Sequence, residues 1–292
     1  MSDASVVRTV WPGAMILGEG TLYSLRENAL YWVDIKRPAV HRLDLAQESI
    51  GSFPMPDYVG WVVERAGGGF VAGLRRGIAH VRFDPLQIEY IAHLEADKPS
   101  YRLNDGKAHA NGSVYCGTMD NDEQDDRGSL YRLFPDRRVV QLDSGYRVTN
   151  GPAFSVDGKR MYTPDSARAV VYCFDVMTDG SVANKRVFLR FKPGEGYPDG
   201  MTVDAEDRLW IAHFAGARVS RFAADGTLLA SIAMPASNIT NCAFAGPRLD
   251  RLFVTSASIG LDDAQRSMQP LAGSLFEVRP GVRGLAPALF TG

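Results

Sequence analysis

Acidic and amide side chains recur at one position of this chain, shortly before each of six apolar segments. Counting back nine to eleven residues from the start of each segment gives Glu19, Gly60-Trp61, Asn104-Asp105, Asn150, Asp199 and Asn241. Five of the six positions therefore carry a carboxylate or an amide oxygen. Such oxygens suit Ca²⁺, Mg²⁺ or Mn²⁺, and also Zn²⁺ or Fe(II). If the six positions converge in space, the pattern predicts a site for one divalent cation.

A structural interpretation competes with this prediction at each position alone. Asn and Asp often cap strand ends, where they bond their own backbone in Asx-turns. Glu19, Asn150 and Asp199 together, in register on a repeat, favour the metal interpretation. Converging buried carboxylates are unstable unless a positive charge lies among them.

The apolar segments that follow these residues recur with a period that decides the fold. They begin at Leu30, Phe70, Val114, Met161, Leu209 and Leu252, in steps of 40, 44, 47, 48 and 43 residues. A period in the forties built from short strands is typical of a β-propeller, in which each repeat is one blade. We therefore predict an all-β, six-bladed propeller with four-stranded antiparallel blades, forming a single domain over residues 1–292.

A hairpin partner with alternating polarity follows each segment, as half-buried antiparallel strands require. These partners are Val40–Leu43, Ile78–Val81, Leu130–Leu133, Val170–Cys173, Val219–Phe222 and Leu275–Val278. Helix should be nearly absent. The apolar stretch Val6–Val10 is expected to pair with the last blade and close the ring, which removes exposed strand edges. If the polar positions start the innermost strands, they lie at one mouth of the central channel.

The composition excludes several classes of protein. A net charge of −2 with 45% apolar residues argues against a disordered chain or a nucleic-acid-binding protein. The start of the chain does not read as a secretory signal, and no apolar run reaches the length of a membrane span, so a cytoplasmic protein without a membrane partner is expected. Cys116, Cys173 and Cys242 lie in apolar strand patterns, which predicts buried thiols rather than disulfides or metal ligands.

Several short motifs resemble the gluconolactonase/regucalcin (senescence marker protein) family in order and spacing from about Trp11 to Ser258. They are Gly18-Glu19-Gly20, Arg102–Lys107, Gly117-Thr118-Met119, Gly128–Tyr131, Thr149–Pro152 and Pro198-Asp199-Gly200. The resemblance implies a propeller that binds one divalent cation and hydrolyses sugar lactones such as a glucono- or pentonolactone. It also implies Glu19, Asn150 and Asp199 as metal ligands, with Asn104 and Arg102 facing the substrate.

Lactone hydrolysis needs a group that polarises the carbonyl, a base and groups that bind the substrate, and these residues could supply them. A divalent cation can polarise the ester carbonyl and acidify a water molecule. We expect Asp199 to accept the proton of the attacking water and Glu19 to anchor the ion. Arg102 and Asn104 would hold the sugar hydroxyls or the carbonyl, and no organic cofactor is indicated.

Two alternative functions use the same ligands. One is a calcium-binding regulatory propeller without chemistry, and the other is an aryl-ester or organophosphate hydrolase. Arg102 beside the ion argues against the first. A polar pocket containing Arg102, Asn104, Asn241 and His213 favours a sugar over an apolar ester, although Phe214, Trp61 and Tyr101 would suit the ester.

The acidic stretch Asp120–Asp126 has two interpretations. As an EF-hand-like loop it lacks the Gly of the sixth position and the Glu of the twelfth, which is Tyr131 here. A solvated hairpin tip is therefore favoured. Relatives place a substrate-contacting Glu after the position of Met119, and this loop departs from that pattern. His109 and His213 could edge the channel, but packed or surface roles are favoured.

Overall fold

The computed structural model describes residues 7–292, which form 24 strands. The strands of the first half are β1 (Arg8–Trp11), β2 (Gly18–Ser24), β3 (Ala29–Asp34), β4 (Ala39–Asp44), β5 (Ser49–Pro54), β6 (Val59–Glu64), β7 (Phe70–Leu74), β8 (Gly77–Phe83), β9 (Leu86–His93), β10 (Tyr101–Ala108), β11 (Val114–Asp120) and β12 (Gly128–Leu133). Those of the second half are β13 (Val139–Tyr146), β14 (Ala153–Phe154), β15 (Arg160–Asp165), β16 (Val170–Val176), β17 (Val182–Arg190), β18 (Tyr197–Val203), β19 (Leu209–Phe214), β20 (Arg218–Phe222), β21 (Leu228–Ala233), β22 (Ile239–Ala245), β23 (Arg251–Ser256) and β24 (Leu275–Val278).

The strands form six four-stranded antiparallel sheets, which are the blades of a six-bladed propeller. Five blades run in chain order, as β2-β3-β4-β5, β6-β7-β8-β9, β10-β11-β12-β13, β14-β15-β16-β17 and β18-β19-β20-β21. The sixth has the order β22-β23-β24-β1. All six predicted apolar segments fall in the second strand of a blade, and all six predicted partners fall in the third. The predicted fold class is confirmed.

The first strand of each blade is the innermost. First strands of neighbouring blades contact one another around the ring, β2 with β6 and β22, β6 with β10, and β18 with β14 and β22. The polar positions of the repeat lie in these strands or, for Asn150, shortly before one. The prediction that they start the inner strands is therefore confirmed.

The N-terminal strand β1 closes the ring by pairing with β24 in the last blade. Arg8 pairs with Glu277 and Thr9 with Phe276 in an antiparallel register. The predicted closure is confirmed for the described part of Val6–Val10, whereas Val6 itself lies outside the described residues. An ion cluster supports the junction: Glu277 accepts from Arg8 Nη2 at 2.7 Å and from Arg251 Nε at 2.7 Å. One carboxylate thereby joins β1, β23 and β24.

Glu277→Gln should destabilise this closure by about 2 kcal/mol at pH 7, because it leaves the Arg251 guanidinium without its charged acceptor. Burial alone would raise the pKa of Glu277, but the hydrogen bonds and charges of Arg251 and Arg8 hold it below its ordinary value. A carboxylate whose pKa is lower in the folded than in the unfolded protein stabilises the fold above its unfolded pKa of about 4.3. This contribution is lost as the pH falls through the folded-state pKa. The stability gap between wild type and variant should therefore narrow below about pH 4, as measured by urea unfolding at pH 7 and pH 3.

Glu48→Gln is the matched control for this experiment. Glu48 also faces Arg8, at 3.6 Å, but both side chains are largely exposed. An exposed pair of this kind contributes about 0–1 kcal/mol. Equal losses in the Glu277 and Glu48 variants, or a loss at residue 277 that does not depend on pH, would contradict the assignment.

The hydrophobic core lies between adjacent blades rather than at the axis. Trp210 of β19 packs with Phe244 of β22 and Phe276 of β24, and equivalent clusters fill the other blade interfaces. Complete burial of such side chains stabilises by about 1.5–3 kcal/mol each. Because the core does not include the polar residues of the axis, substitutions there should leave the blades folded. The cysteines Cys116, Cys173 and Cys242 are buried and free, as predicted.

A single α-helix, α1 (Asp263–Met268), and a 3₁₀ turn at Ser166–Arg168 complete the secondary structure of residues 7–292. Helix α1 starts with a capping box, in which the Asp262 carboxylate accepts from Gln265 N at 2.8 Å and the Gln265 side chain accepts from Asp262 N at 3.0 Å. Six residues are too few for a 3.6-residue period to show in the sequence. Across residues 7–292, no helix is long and apolar enough to cross a membrane.

Candidate functional site

The inner strands are irregular where the polar residues lie. Register shifts fall between Glu19 and Leu22 in β2, Val59 and Trp61 in β6, Leu103 and Gly106 in β10, Pro198 and Met201 in β18, and Ile239 and Asn241 in β22. A bulge leaves a residue out of the ladder and re-aims its side chain. In the fourth blade Asn150 precedes Gly151, whose φ of +68° suits glycine. Five blades thus break the ladder of the inner strand at the recurring position, whereas in the fourth blade Asn150 lies before the inner strand begins.

The second blade carries glycine at this position because the strands are close there. An added Cβ at Gly60 would lie 2.8 Å from the Leu103 carbonyl oxygen of β10. The next residue, Trp61, is fully buried, and a Cβ added at Gly106 would lie 2.6 Å from its indole. The second blade therefore contributes packing to the axis and no ligand.

A cavity of about 540 Å³, lined by both polar and apolar side chains, lies where the inner strands meet. The predicted site residues that line it are Glu19, Arg102, Asn104, Asn150 and Asp199. All five are at most 6% exposed. They come from four blades and up to 180 residues apart in the chain, so the fold brings together the three predicted metal ligands and the two predicted substrate-binding residues.

Glu19 and Asp199 are the acidic part of the site. Glu19 Oε2 accepts from Gly20 N and from Asn241 Nδ2, both at 3.0 Å. Burial and the charge of Asp105 raise the pKa of Glu19 to about 8. Burial, followed by the charges of Glu19 and Asp105, raises the pKa of Asp199 well above its ordinary value. The charge of Asp105 thus acts on Glu19, and the charges of Glu19 and Asp105 act on Asp199.

Asp199 Oδ1 is buried and has no hydrogen-bond partner among residues 7–292. A buried acceptor without a partner is costly in a folded protein. A divalent cation between Glu19 and Asp199 would satisfy this oxygen and remove the like-charge penalty. The donor set therefore fits a hard divalent cation. Within residues 7–292 no three His, Cys, Asp or Glu side chains form a metal-binding group.

The amide groups of Asn104 and Asn150 are held in fixed orientations. Asn104 Nδ2 donates to Asn150 Oδ1 at 2.9 Å and to the Thr149 carbonyl at 2.5 Å, while Asn104 Oδ1 accepts from Arg102 Nη1 at 2.5 Å. Asn150 Nδ2 donates to Ser166 Oγ at 2.9 Å, which turns Asn150 Oδ1 toward Asn104. Asn104 thus couples the cation Arg102 to the ligand candidate Asn150, with both amide hydrogens engaged.

Asp105 and Asn241 face a different cavity from the other ring residues. Both line a space of about 400 Å³ that the C-terminal residues Leu285–Ala288 also border. Asn241 Nδ2 donates to Glu19 Oε2 and, at 3.3 Å, to Asp105 Oδ2, while its Oδ1 accepts from Thr21 Oγ1 at 2.7 Å. Burial raises the pKa of Asp105 to about 6, against the lowering charge of Lys107. Asn241 supports Glu19 from behind, which contradicts its expected place in the substrate pocket.

The acidic loop after β11 lines the site cavity through Asn121–Gln124. Asp122, Glu123 and Gln124 are exposed, as expected of a hairpin tip. Asn121 Oδ1 accepts from Lys36 Nζ at 2.7 Å and from Arg102 Nε at 3.3 Å, which ties the loop to the pocket wall. Lys36, Arg147 and Tyr197 also line the cavity, and the sequence offered no motif that marked them.

The remaining candidates take packing roles. His213 is buried, stacks on Phe191 and bonds the Glu195 carbonyl through Nδ1 at 2.7 Å, and it does not line the site cavity. His109 bonds the Gly158 carbonyl at 2.9 Å. Of the aromatic residues that would suit an apolar ester, Phe214 lines the cavity, whereas Trp61 and Tyr101 are buried away from it. The expected contribution of His213 to the pocket is therefore wrong.

Comparisons with known proteins agree on one family. The family described as SMP-30/Gluconolactonase/LRE-like region matches residues 17–258. Regucalcin of Danio rerio is 35% identical over 94% of this chain and 95% of its own. A 6-deoxy-6-sulfogluconolactonase of Pseudomonas putida is 32% identical over 95% and 96%. The crystal structure of a calcium-binding protein, regucalcin, from Agrobacterium tumefaciens is 27% identical and superposes with a TM-score of 0.94 over 99% of this chain and 98% of that one. The chain belongs to the SMP-30/gluconolactonase family.

Proposed function

We propose that this protein hydrolyses a sugar lactone to the aldonic acid with the help of one divalent cation. The observation that carries the proposal is Asp199, a buried carboxylate that lies with Glu19 in a cavity large enough for a sugar and whose Oδ1 has no hydrogen-bond partner in the described part of the chain. The relative named as a sulfogluconolactonase supports lactone hydrolysis, and the neighbour described as a calcium-binding protein supports the divalent cation.

Glu19, Asn150 and Asp199 would hold the ion. When bound, a divalent cation would polarise the lactone carbonyl and favour deprotonation of water. The ion would also neutralise Glu19 and Asp199, whose pKa values are raised by burial and by neighbouring carboxylates. Ca²⁺, Mn²⁺, Mg²⁺, Zn²⁺ and Fe(II) all accept such a donor set.

In the proposed reaction, the side chains of the pocket act as base, as hydrogen-bond donor to the substrate and as orienting group. Asp199 accepts a proton from the attacking water as the water oxygen bonds to the carbonyl carbon. The ring C–O bond then breaks, and the same proton is available to the departing ring oxygen. Arg102, fixed by Asn104 and Asn121, offers its guanidinium hydrogens to the carbonyl or hydroxyl oxygens. Asn104 acts chiefly by orienting Arg102, because its own amide hydrogens are engaged.

A panel of substrates tests the proposal. The protein is stripped with a chelator, single metals are added back, and acid release is followed from glucono- and pentonolactones, phenyl acetate and an organophosphate. Acid release from lactones only in the presence of metal is the expected result. Metal binding without any acid release would instead favour the calcium-binding alternative, to which the Agrobacterium neighbour's description points. Preference for phenyl acetate or the organophosphate would favour an aryl-ester or organophosphate hydrolase.

Arg102→Lys should lower kcat/KM about tenfold or more while leaving the affinity for the ion nearly intact. Lysine keeps the charge but cannot reproduce the fork that contacts Asn104, Asn121 and the Leu103 carbonyl together. Kinetics and metal titration on the same preparation provide the test. Arg132→Lys is the control, because Arg132 is also buried but bonds Ser113 Oγ far from the pocket. Loss of the ion from the Arg102 variant would show that this residue supports the metal site instead.

A further inference from the structure

Three cations line the site cavity, Lys36, Arg102 and Arg147. Arg102 is 4% exposed, and its hydrogen-bond acceptors are neutral oxygens of Leu103, Asn104 and Asn121. Lys36 is partly buried and donates to Asn121 Oδ1. Among residues 7–292 neither of the two forms an ion pair within 4.0 Å. Buried cations are normally paired, so these charges call for an anionic partner.

Arg147 is also incompletely satisfied. Its Nε is buried without a hydrogen-bond partner among the described residues, and its Nη2 lies 3.5 Å from the Gln124 carbonyl. Its nearest carboxylate, Asp126, lies 3.8 Å away and is engaged more closely by Arg168 at 2.8 Å. Asp126 is thus paired mainly with Arg168. Arg147 therefore still has guanidinium N–H groups that can donate to a further acceptor.

The carboxylates of the cavity do not cancel the positive charge of Lys36, Arg102 and Arg147. Glu19 and Asp199 are the groups that the divalent ion of the proposed function would neutralise. Asp122 and Glu123 are exposed on the loop tip, where water and salt screen their charge. Burial, followed by the charge of Arg102, lowers the pKa of Lys36, although the charges of Asp122 and Glu123 act in the opposite direction.

We infer that Lys36 and Arg147 form a subsite for an anionic group carried by the lactone at a carbon away from the ester, so that the preferred substrate is an acidic sugar lactone. This inference rests on the proposed lactonase function. Phosphate, sulfonate and carboxylate share the required chemistry, an anionic oxygen cluster that accepts from an ammonium and a guanidinium. Arg102, bound to Asn104 beside the ligand candidates, remains at the lactone carbonyl.

The test compares kcat/KM for neutral glucono-1,5-lactone with three acidic analogues: the 6-phosphate, the 6-deoxy-6-sulfonate and the 6-carboxylate. The wild type should favour at least one acidic lactone by about tenfold or more, the scale of one charge-assisted hydrogen bond. Rising ionic strength should reduce this preference. The analogue with the highest ratio identifies the anion.

Lys36→Gln and Arg147→Gln should each lower the ratio of acidic to neutral kcat/KM about tenfold. Lys159→Gln is the control, because it removes the same charge from an exposed residue that does not line the cavity. A wild type that favours the neutral lactone, or variants that leave the ratio unchanged, would overturn the subsite.

A binding measurement separates this inference from the proposed function. Calorimetry of wild type and Lys36→Gln with 6-phosphogluconate needs no turnover. If no lactone is hydrolysed but this acid binds wild type about tenfold more tightly than the variant, the lactonase function fails and the anion subsite stands. If lactones are hydrolysed and the two proteins bind the acid equally, the subsite fails and the lactonase function stands.

Discussion

Asp199→Asn is expected to be nearly inactive even when the ion is bound, with kcat lower by about 10²–10⁴-fold, the usual contribution of a general base. Asparagine keeps an oxygen for the ion but cannot accept a proton from water. Asp199 lines the cavity, and its Oδ1 has no hydrogen-bond partner among residues 7–292, so this oxygen is free for either task. Activity should therefore be measured as a function of metal occupancy, so that loss of the ion is not mistaken for loss of the base.

Asp105→Asn is the matched control for Asp199→Asn. Asp105 is another buried carboxylate of the same ring, and its charge also acts on Asp199, but it faces the second cavity. The same chemical change there should cost far less activity. Asn150→Asp is a second comparison, since it adds a carboxylate to the ligand set without removing Asp199. Recovery of wild-type turnover by Asp199→Asn at high metal concentration would limit Asp199 to coordination.

Glu19→Gln is expected to have opposite effects on the metal-free and metal-loaded protein. Without metal, the free energy of unfolding at pH 7 should rise, because glutamine removes the cost of burying a carboxyl group whose pKa is raised to about 8 in the folded protein. With metal, the variant should lose most of the stabilisation that ligand binding provides, about 2.7 kcal/mol for wild type at a concentration 100 times Kd. Both follow from the raised pKa values of Glu19 and Asp199, which are caused first by burial and then by the charges of neighbouring carboxylates.

Thermal unfolding with chelator and with added Ca²⁺ or Mn²⁺ measures both effects, and elemental analysis gives the ion stoichiometry. Glu64→Gln is a suitable control, because Glu64 is also a buried acid on an inner strand but pairs with Arg26 at 3.4 Å away from the site cavity. Glu64→Gln should lower the free energy of unfolding equally in the metal-free and the metal-loaded protein. A stoichiometric ion retained by Glu19→Gln would count against Glu19 as a ligand.

The propeller was predictable because its period is local. Each blade repeats an apolar second strand and an alternating third strand within about 40–48 residues, and both patterns can be read without knowing the neighbouring blade. The inner strands were harder, since a bulge breaks the alternation where the polar residue lies. Their positions followed from counting back along the repeat. Helix α1 was missed because its six residues are held by a capping box rather than by an apolar face.

The sequence alone determined the blades, their order and the ring positions of Glu19, Asn150 and Asp199, because repeat position maps directly onto distance from the axis. Only the tertiary structure decided which ring side chains share a cavity. Asn104 and Asp105 are adjacent in one strand, yet Asn104 lines the site and Asp105 the opposite space. It also decided which residues form the walls of the site cavity: Lys36 of the first blade, Asn121 of the third, and Arg147 of the connection between the third and fourth blades. These contacts depend on how loops pack across blades, and no periodic pattern in the chain records that packing.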